Sequence, residues 1–219
     1  MENNSVVVLL SGGLDSTAVI GYLHSMNVPV YALSFIYGQN TADKEIQSSK
    51  AVCKYYGVEH HQILDLGFVK DFLISGLIEK DTYLTSENKL KMYVPFRNSI
   101  FLSFAVAWAE SIGAAEVGIG SHLTGPICPD NSPEYISTFQ QLIELGTMKK
   151  PPIRINAPFV NMNKVQLIQN AIDLKVPFEL TWSCFNAGEY PCGICPNCMD
   201  RLRSFKACNY TDPLKYQNS

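Results

Sequence analysis

Val6-Val7-Val8-Leu9-Leu10-Ser11-Gly12-Gly13-Leu14-Asp15-Ser16-Thr17 is the stretch on which the fold turns. Its opening apolar, β-branched run predicts a buried strand over 6–10. Ser11-Gly12-Gly13 breaks that strand, and a helix is expected over 17–25. Glycines at a strand-to-helix junction let the backbone turn tightly and bring its N–H groups close to an anion. The helix N-terminus beyond adds partial positive charge, and Ser11, Ser16 and Thr17 add hydroxyl donors. The pattern reads as a phosphate cradle, but no Gly-Lys-Ser/Thr closes it as in a Walker loop, and it is not Gly-x-Gly-x-x-Gly. These residues alone also allow a plain β–α turn with Asp15 near an N-cap.

Outward from this turn, strands and helices alternate, the signature of an α/β protein with a parallel sheet. Further strands are expected over 30–35, 61–64, 116–119 and 154–157. An amphipathic helix over 42–56 is closed by Gly57. The helix over 98–112 is Ala-rich, preceded by Pro95 and ended by Gly113, and its nearly all-round apolar character predicts burial. Two more helices fall over 134–145 and 164–174. The polar stretch 82–91 reads as an exposed loop. Beyond Thr181, cysteines, glycines and prolines crowd together. This divides the chain into an α/β body over 1–180 and a small cysteine-bearing module over 181–219.

Seven cysteines in 219 residues are an odd number, so a fully paired intramolecular disulfide framework is excluded. Four of them, Cys184, Cys192, Cys195 and Cys198, are spaced C-x7-C-x2-C-x2-C. Overlapping C-x-x-C units with Gly and Pro between them form tight knuckles that aim thiolates at one point, which suits tetrahedral Zn2+. With four sulfur ligands no position remains for a catalytic water, so such an ion is structural. The spacing also occurs at iron–sulfur sites, and a redox or unliganded role stays open beside it. Cys53 and Cys208 read as packing residues, and Cys128 is left open.

At 47% apolar and 17% charged residues, the chain can bury a sizeable core and is not disordered. A net charge of −3 speaks against a long nucleic acid partner, though not against a nucleotide or a nucleobase. No apolar run approaches the roughly 20 residues of a spanning helix, and Met1-Glu2-Asn3-Asn4 lacks the basic start of a signal peptide. A soluble, cytoplasmic protein with no membrane partner is expected.

Ser-Gly-Gly-x-Asp-Ser after an N-terminal apolar strand resembles the PP-loop of the ATP pyrophosphatase superfamily. That resemblance implies ATP, with Mg2+, held by Ser11, Gly12, Gly13, Leu14, Asp15, Ser16 and Thr17. Ser11, Gly12, Gly13 and Ser16 would take the pyrophosphate portion, and Asp15 would position phosphate or Mg2+. Joined to the C-terminal cysteines, the chain resembles the 7-cyano-7-deazaguanine synthase (QueC) family over nearly its whole length. Tyr31-Ala32-Leu33-Ser34-Phe35, Tyr37-Gly38-Gln39, Val94-Pro95-Phe96-Arg97-Asn98, Lys164, Thr181-Trp182-Ser183-Cys184 and Asp212-Pro213 carry the likeness in order.

The family's chemistry implies a small-molecule substrate, 7-carboxy-7-deazaguanine, whose carboxylate ATP adenylates and ammonia then attacks. A second ATP activates the resulting amide and yields the nitrile used in queuosine biosynthesis. No side-chain nucleophile is required, so charge neutralisation and orientation are what the protein supplies. Arg97 and Lys164 are the candidate catalytic cations, with Asp15, because a guanidinium meets a carboxylate or phosphate bidentately and an ammonium acts as a point charge. Among His24, His60, His61 and His122, only His122 has a site-like position; it is a candidate substrate contact together with Asp130 and Arg97. The resemblance implies a homodimer, and the cysteine spacing an expected single structural Zn2+ per chain.

The chain departs from the family pattern at 121–135, where Asp-x-Ser-Gly-Tyr-Pro-Asp-Cys-Arg is usual. Here it reads Ser121-His122-Leu123-Thr124-Gly125-Pro126-Ile127-Cys128-Pro129-Asp130-Asn131-Ser132-Pro133-Glu134-Tyr135. Asn40-Thr41 also replaces the usual Arg-His. The departure allows a QueC-like paralogue of an anti-phage operon that modifies a protein partner or other macromolecule, and the cysteines separately allow a tRNA-thiolating PP-loop enzyme. A zinc-bearing adaptor that only binds nucleotide is the non-enzymatic alternative.

Overall fold

A computed structural model describes residues 4–79, 83–85, 91–123 and 128–217. Met1-Glu2-Asn3, most of the polar stretch 82–91 and residues 124–127 of the divergent loop lie outside the described residues. Five strands, β1 (Val6–Leu9), β2 (Val30–Ile36), β3 (His60–Asp65), β4 (Glu116–Gly118) and β5 (Arg154–Asn156), form one sheet in the order β3-β2-β1-β4-β5. Every pairing is parallel, with Val8 opposite Ala32 on one side and Gly118 on the other. β1 is central and buried along its whole length, which is why it reads as a continuous apolar run and not an alternating one. β3, one of the two edge strands, carries only exposed and half-buried residues.

Among the described residues, six α-helices connect and cover the strands: α1 (Leu14–Ser25), α2 (Ala42–Tyr56), α3 (Arg97–Ile112), α4 (Pro133–Gly146), α5 (Lys164–Asp173) and α6 (Pro196–Ala207). Leu102 and Ala105 of α3 and Phe139 of α4 enter the core on one sheet face. Leu23 of α1, Val52 of α2, Leu167 of α5 and Phe205 of α6 fill the other. The chain runs outward through β1, β2 and β3, then returns to the opposite side of β1 for β4. That reversal opens a crevice between the C-terminal ends of β1 and β4, where an open parallel sheet binds its ligand.

Two expectations need correction, and one further helix is found. α1 begins at Leu14, three residues earlier than read, because extended Gly13 already acts as N-cap and the helix runs directly from the glycine turn. α3 is not buried all round: Ser103, Phe104 and Ala107 are exposed, because this helix covers the sheet on one side only. α6 was not anticipated. It starts on Pro196, which suits a first helical position, and carries Cys198 in its first turn. α2 keeps its expected bounds and ends on Gly57 at φ 67°, the left-handed cap that glycine adopts without strain. Cys53 is buried as a packing residue.

Candidate active site between β1 and β4

The turn after β1 is held by its own hydroxyls. The Ser11 and Ser16 Oγ atoms lie 3.1 Å apart, and the Gly13 N–H donates to Ser11 Oγ at 3.3 Å. Ser16 and Thr17 hydroxyls donate back to Gly13 O at 3.1 and 2.8 Å. No side chain caps the N-terminus of α1, so its first N–H groups are left for a ligand. Gly12 sits at φ 76° with α2 pressed against it: an added Cβ would lie 2.4 Å from Glu45 O. Gly120, two residues beyond β4, is also crowded: a Cβ there would meet the Asp15 carbonyl carbon at 2.8 Å. Glycine is thus required on both sides of the crevice.

A cleft of about 370 Å³ opens over this turn. Ser11, Gly13, Leu14, Asp15 and Ser16 line it, whereas Gly12 and Thr17 do not. Leu14 turns its side chain into the core and Thr17 is fully buried, so both shape the loop from behind. Lys164, first residue of α5, forms an ion pair with Asp15 Oδ1, and His122 Nε2 stands 3.5 Å from Asp15 Oδ2. Burial pushes the Asp15 carboxyl up, but the Lys164 charge and the His122 hydrogen bond outweigh it and hold the group well below the usual carboxylate range. The carboxylate therefore stays ionised, and 30% of its side chain remains open to solvent. Asp15 meets two residues more than a hundred positions away because β1 and β4 end, and α5 begins, at the same crevice.

The other end of the cleft is aromatic and cationic. Phe35 and Phe101 stack with centroids 4.0 Å apart, and Arg97 donates to Tyr37 Oη at 3.0 Å. Arg97 forms no ion pair among the described residues. Asp130 lines the cleft too, but its carboxylate accepts the Asn98 N–H at 2.9 Å and its carbonyl the Asn98 side-chain amide at 2.8 Å. It therefore anchors the start of α3 beside Arg97. Cys128 also faces the cleft; burial pushes its thiol up against the opposing pull of Arg97, leaving it neutral. The remaining histidines lie elsewhere: His61 Nε2 pairs with Ser34 Oγ at 2.8 Å, His60 stacks on Tyr31 and His24 contacts Tyr56. Phe101, Glu45 and Ser183 line the cleft without having been read as site residues. For Ser183 the signal was present, in the Trp-Ser-Cys segment.

Cys184, Cys192, Cys195 and Cys198 are all buried, with their sulfur atoms within 4.8 Å of one another. N–H groups of Asn186 and Cys192 donate to Cys184 Sγ at 3.3 and 3.4 Å, and that of Cys195 to Cys192 Sγ at 3.3 Å. Hydrogen bonds from the Cys184 and Cys198 thiols hold Cys195 far below the ordinary thiol range, and the same contacts push the other two up. Sulfurs this close cannot all carry charge without a cation between them. Tetrahedral ligation at about 2.3 Å places sulfurs about 3.8 Å apart, so the set fits one metal ion. The next residues toward the N-terminus reach the turn after β1: the Trp182 N–H donates to Gly12 O at 2.9 Å.

A parallel sheet in this order, with a serine–glycine turn at its switch point, defines a PP-loop protein of the adenine nucleotide alpha hydrolase type. The family profile for "Queuosine biosynthesis protein QueC" matches residues 5–209, and the chain belongs to that family. It is 38% identical over 221 residues to the 7-cyano-7-deazaguanine synthase of Oceanobacillus iheyensis, spanning 99% of this chain and 100% of the relative. To the synthase of Thermoplasma volcanium it is 41% identical over 217 residues, spanning 96% and 90%. Among solved structures, NMN synthetase from Francisella tularensis superposes with a TM-score of 0.52 at 13% identity, covering 95% of this chain and 79% of that one. Such identity speaks for the fold alone. No helix among the described residues is long and apolar enough to cross a membrane.

Proposed function

We propose that this chain is an ATP-dependent synthase that converts 7-carboxy-7-deazaguanine and ammonia into 7-cyano-7-deazaguanine. One observation carries the assignment beyond family membership. The phosphate turn with Lys164, and Arg97 without an ion-pair partner among the described residues, line the same cleft. A carboxylated aromatic base needs a cation and a stacking surface, and triphosphate needs N–H donors and an ammonium; the two ends of the cleft supply these separately.

Ser11, Gly13 and Ser16 would hold the departing pyrophosphate with Lys164 as a point charge. Arg97 would take the carboxylate while it attacks the α-phosphorus, the acyl adenylate forming as pyrophosphate leaves. Ammonia then displaces AMP and loses a proton to give the amide. In the second round the amide oxygen is adenylated, and loss of AMP and the remaining N–H protons leaves the nitrile. His122 and Asp130 would border the base, the second by fixing the start of α3. Asp15 is the acidic residue placed to ligate Mg2+ arriving with ATP, where the ion would neutralise phosphate charge. The four thiolates fit Zn2+ better than an iron–sulfur cluster, since a cluster would hold them further apart than one ion does; the zinc would be structural. The body over 1–180 and the module over 181–219, a cytoplasmic location and a homodimer belong to the same proposal.

Incubation with 7-carboxy-7-deazaguanine, ammonia and ATP should release AMP and pyrophosphate and produce amide, then nitrile. Asp15→Asn should cut AMP release at least 100-fold. Absence of both turnover and AMP in the wild type overturns the assignment. Amide without nitrile would favour the second reading, a paralogue acting on a protein or other macromolecule, which the departure at 121–135 supports.

A further inference from the structure

We propose that Arg201 is a positioning residue for the phosphate turn, acting through the ribbon 181–183; this rests on the nucleotide-binding role just proposed. Arg201 is 1% exposed, lies on α6 and does not itself line the cleft. A guanidinium carries five N–H donors, and here they serve two segments. Nε and Nη2 donate to the Asp212 carboxylate at 2.6 and 2.9 Å. Nη1 donates to Thr181 Oγ1 at 2.7 Å and Ser183 Oγ at 3.1 Å, and Nη2 to Phe178 O at 3.2 Å. Asp212 is itself held by the Tyr216 hydroxyl at 2.6 Å.

The residue between Thr181 and Ser183 is Trp182, whose N–H reaches Gly12 O at 2.9 Å. Gly12 is thereby enclosed between α2 on one side and this ribbon on the other. With both flanking hydroxyls gripped by one planar, rigid fork, the ribbon cannot rotate and its N–H stays on Gly12. Replacing a buried ion pair by apolar residues of similar volume often leaves stability unchanged or raised. What apolar side chains do not supply is the rotational setting of 181–183. Asn197 completes the brace by donating to Ser183 O at 2.7 Å.

The test uses the full chain with its metal. Arg201→Met/Asp212→Leu removes both charges together and keeps the volume; Arg201→Lys keeps charge without the fork; Thr181→Val deletes one acceptor. Metal content and melting are measured beside equilibrium dialysis against ATP with Mg2+, which needs no acceptor substrate. ATP binding is expected to weaken at least tenfold in the double variant and about threefold in Thr181→Val, with Arg201→Lys between. In turnover, KM for ATP should rise by the same factors while kcat at saturating ATP stays within threefold. A role confined to stability would lower active enzyme, hence kcat, and leave KM unmoved. ATP binding within twofold of wild type in folded variants overturns the proposal. If the Arg201 variants do not fold, Thr181→Val decides it alone. A wild-type chain that binds no ATP removes this inference and the functional assignment together; normal wild-type binding with unaltered variants removes this inference only.

Discussion

Gly12→Ala is the substitution for which the structure fixes an outcome most tightly. The new methyl group would lie 2.4 Å from Glu45 O and 2.8 Å from Ser49 N, about 1 Å short of an ordinary contact with the nearer atom. Both neighbours are backbone of α2, so no side chain can swing aside. The φ of 76° adds about 1–2 kcal/mol for any residue bearing a Cβ, and overpacking adds about 1–3 kcal/mol. A loss of about 2–5 kcal/mol in a chain of this size lowers the melting midpoint by roughly 5–20 °C. The larger effect falls on the site. Either α2 or the turn must move by about 1 Å, and a displacement of that size near reacting groups costs about 100-fold in rate. Moving α2 also disturbs Glu45, which accepts from Thr41 Oγ1 at 2.6 Å and Gln39 Nε2 at 2.9 Å inside the cleft wall. The assay is AMP release at saturating ATP, with melting measured on the same preparation. Activity within threefold of wild type, at an unchanged midpoint, would refute the claim that Gly12 is enclosed between α2 and the ribbon 181–183.

Arg97→Lys should raise KM for the carboxylated base at least tenfold while KM for ATP changes less than threefold, because a point charge cannot replace the fork that Tyr37 now holds. Elemental analysis should find one metal ion per chain in a colourless protein; stripping it with a chelator and a thiol-reactive mercurial should lower the melting midpoint and ATP affinity together. His61 gives a pH test. Burial, then the Lys50 charge, lowers its pKa below 6.5, so its contribution to stability is complete above pH 6.5 and is lost as pH falls below that value. His61→Gln should flatten the decline in melting midpoint between pH 6.5 and 5, and an unaltered slope would contradict that account.

Local sequence is informative where local physics decides. The glycine turn could be read from its own residues because tight turning and anion binding need the same small side chains. Helix α2 could be bounded because its apolar spacing and left-handed Gly57 cap are local features. The four clustered cysteines were legible for the same reason, since three of them fall within seven residues. α3 misled because its composition says nothing about which sides have neighbours; the sheet lies on one side and Phe104 is exposed on another. α6 was obscured by the cysteine and proline signals that start it.

What the sequence by itself determined is therefore the class: a parallel α/β body, a serine–glycine turn after its first strand, a four-cysteine cluster and a family likeness across the chain. Only the tertiary structure decided which charges meet. Asp15, His122 and Lys164 converge because the chain reverses direction across β1, bringing the ends of β1, β4 and α5 to one crevice. The pairing of Arg201 with Thr181, Ser183 and Asp212 arises in the same way, from packing α6 against segments ten or more residues away. Such contacts depend on where separate elements end in space, and no local propensity or spacing encodes that.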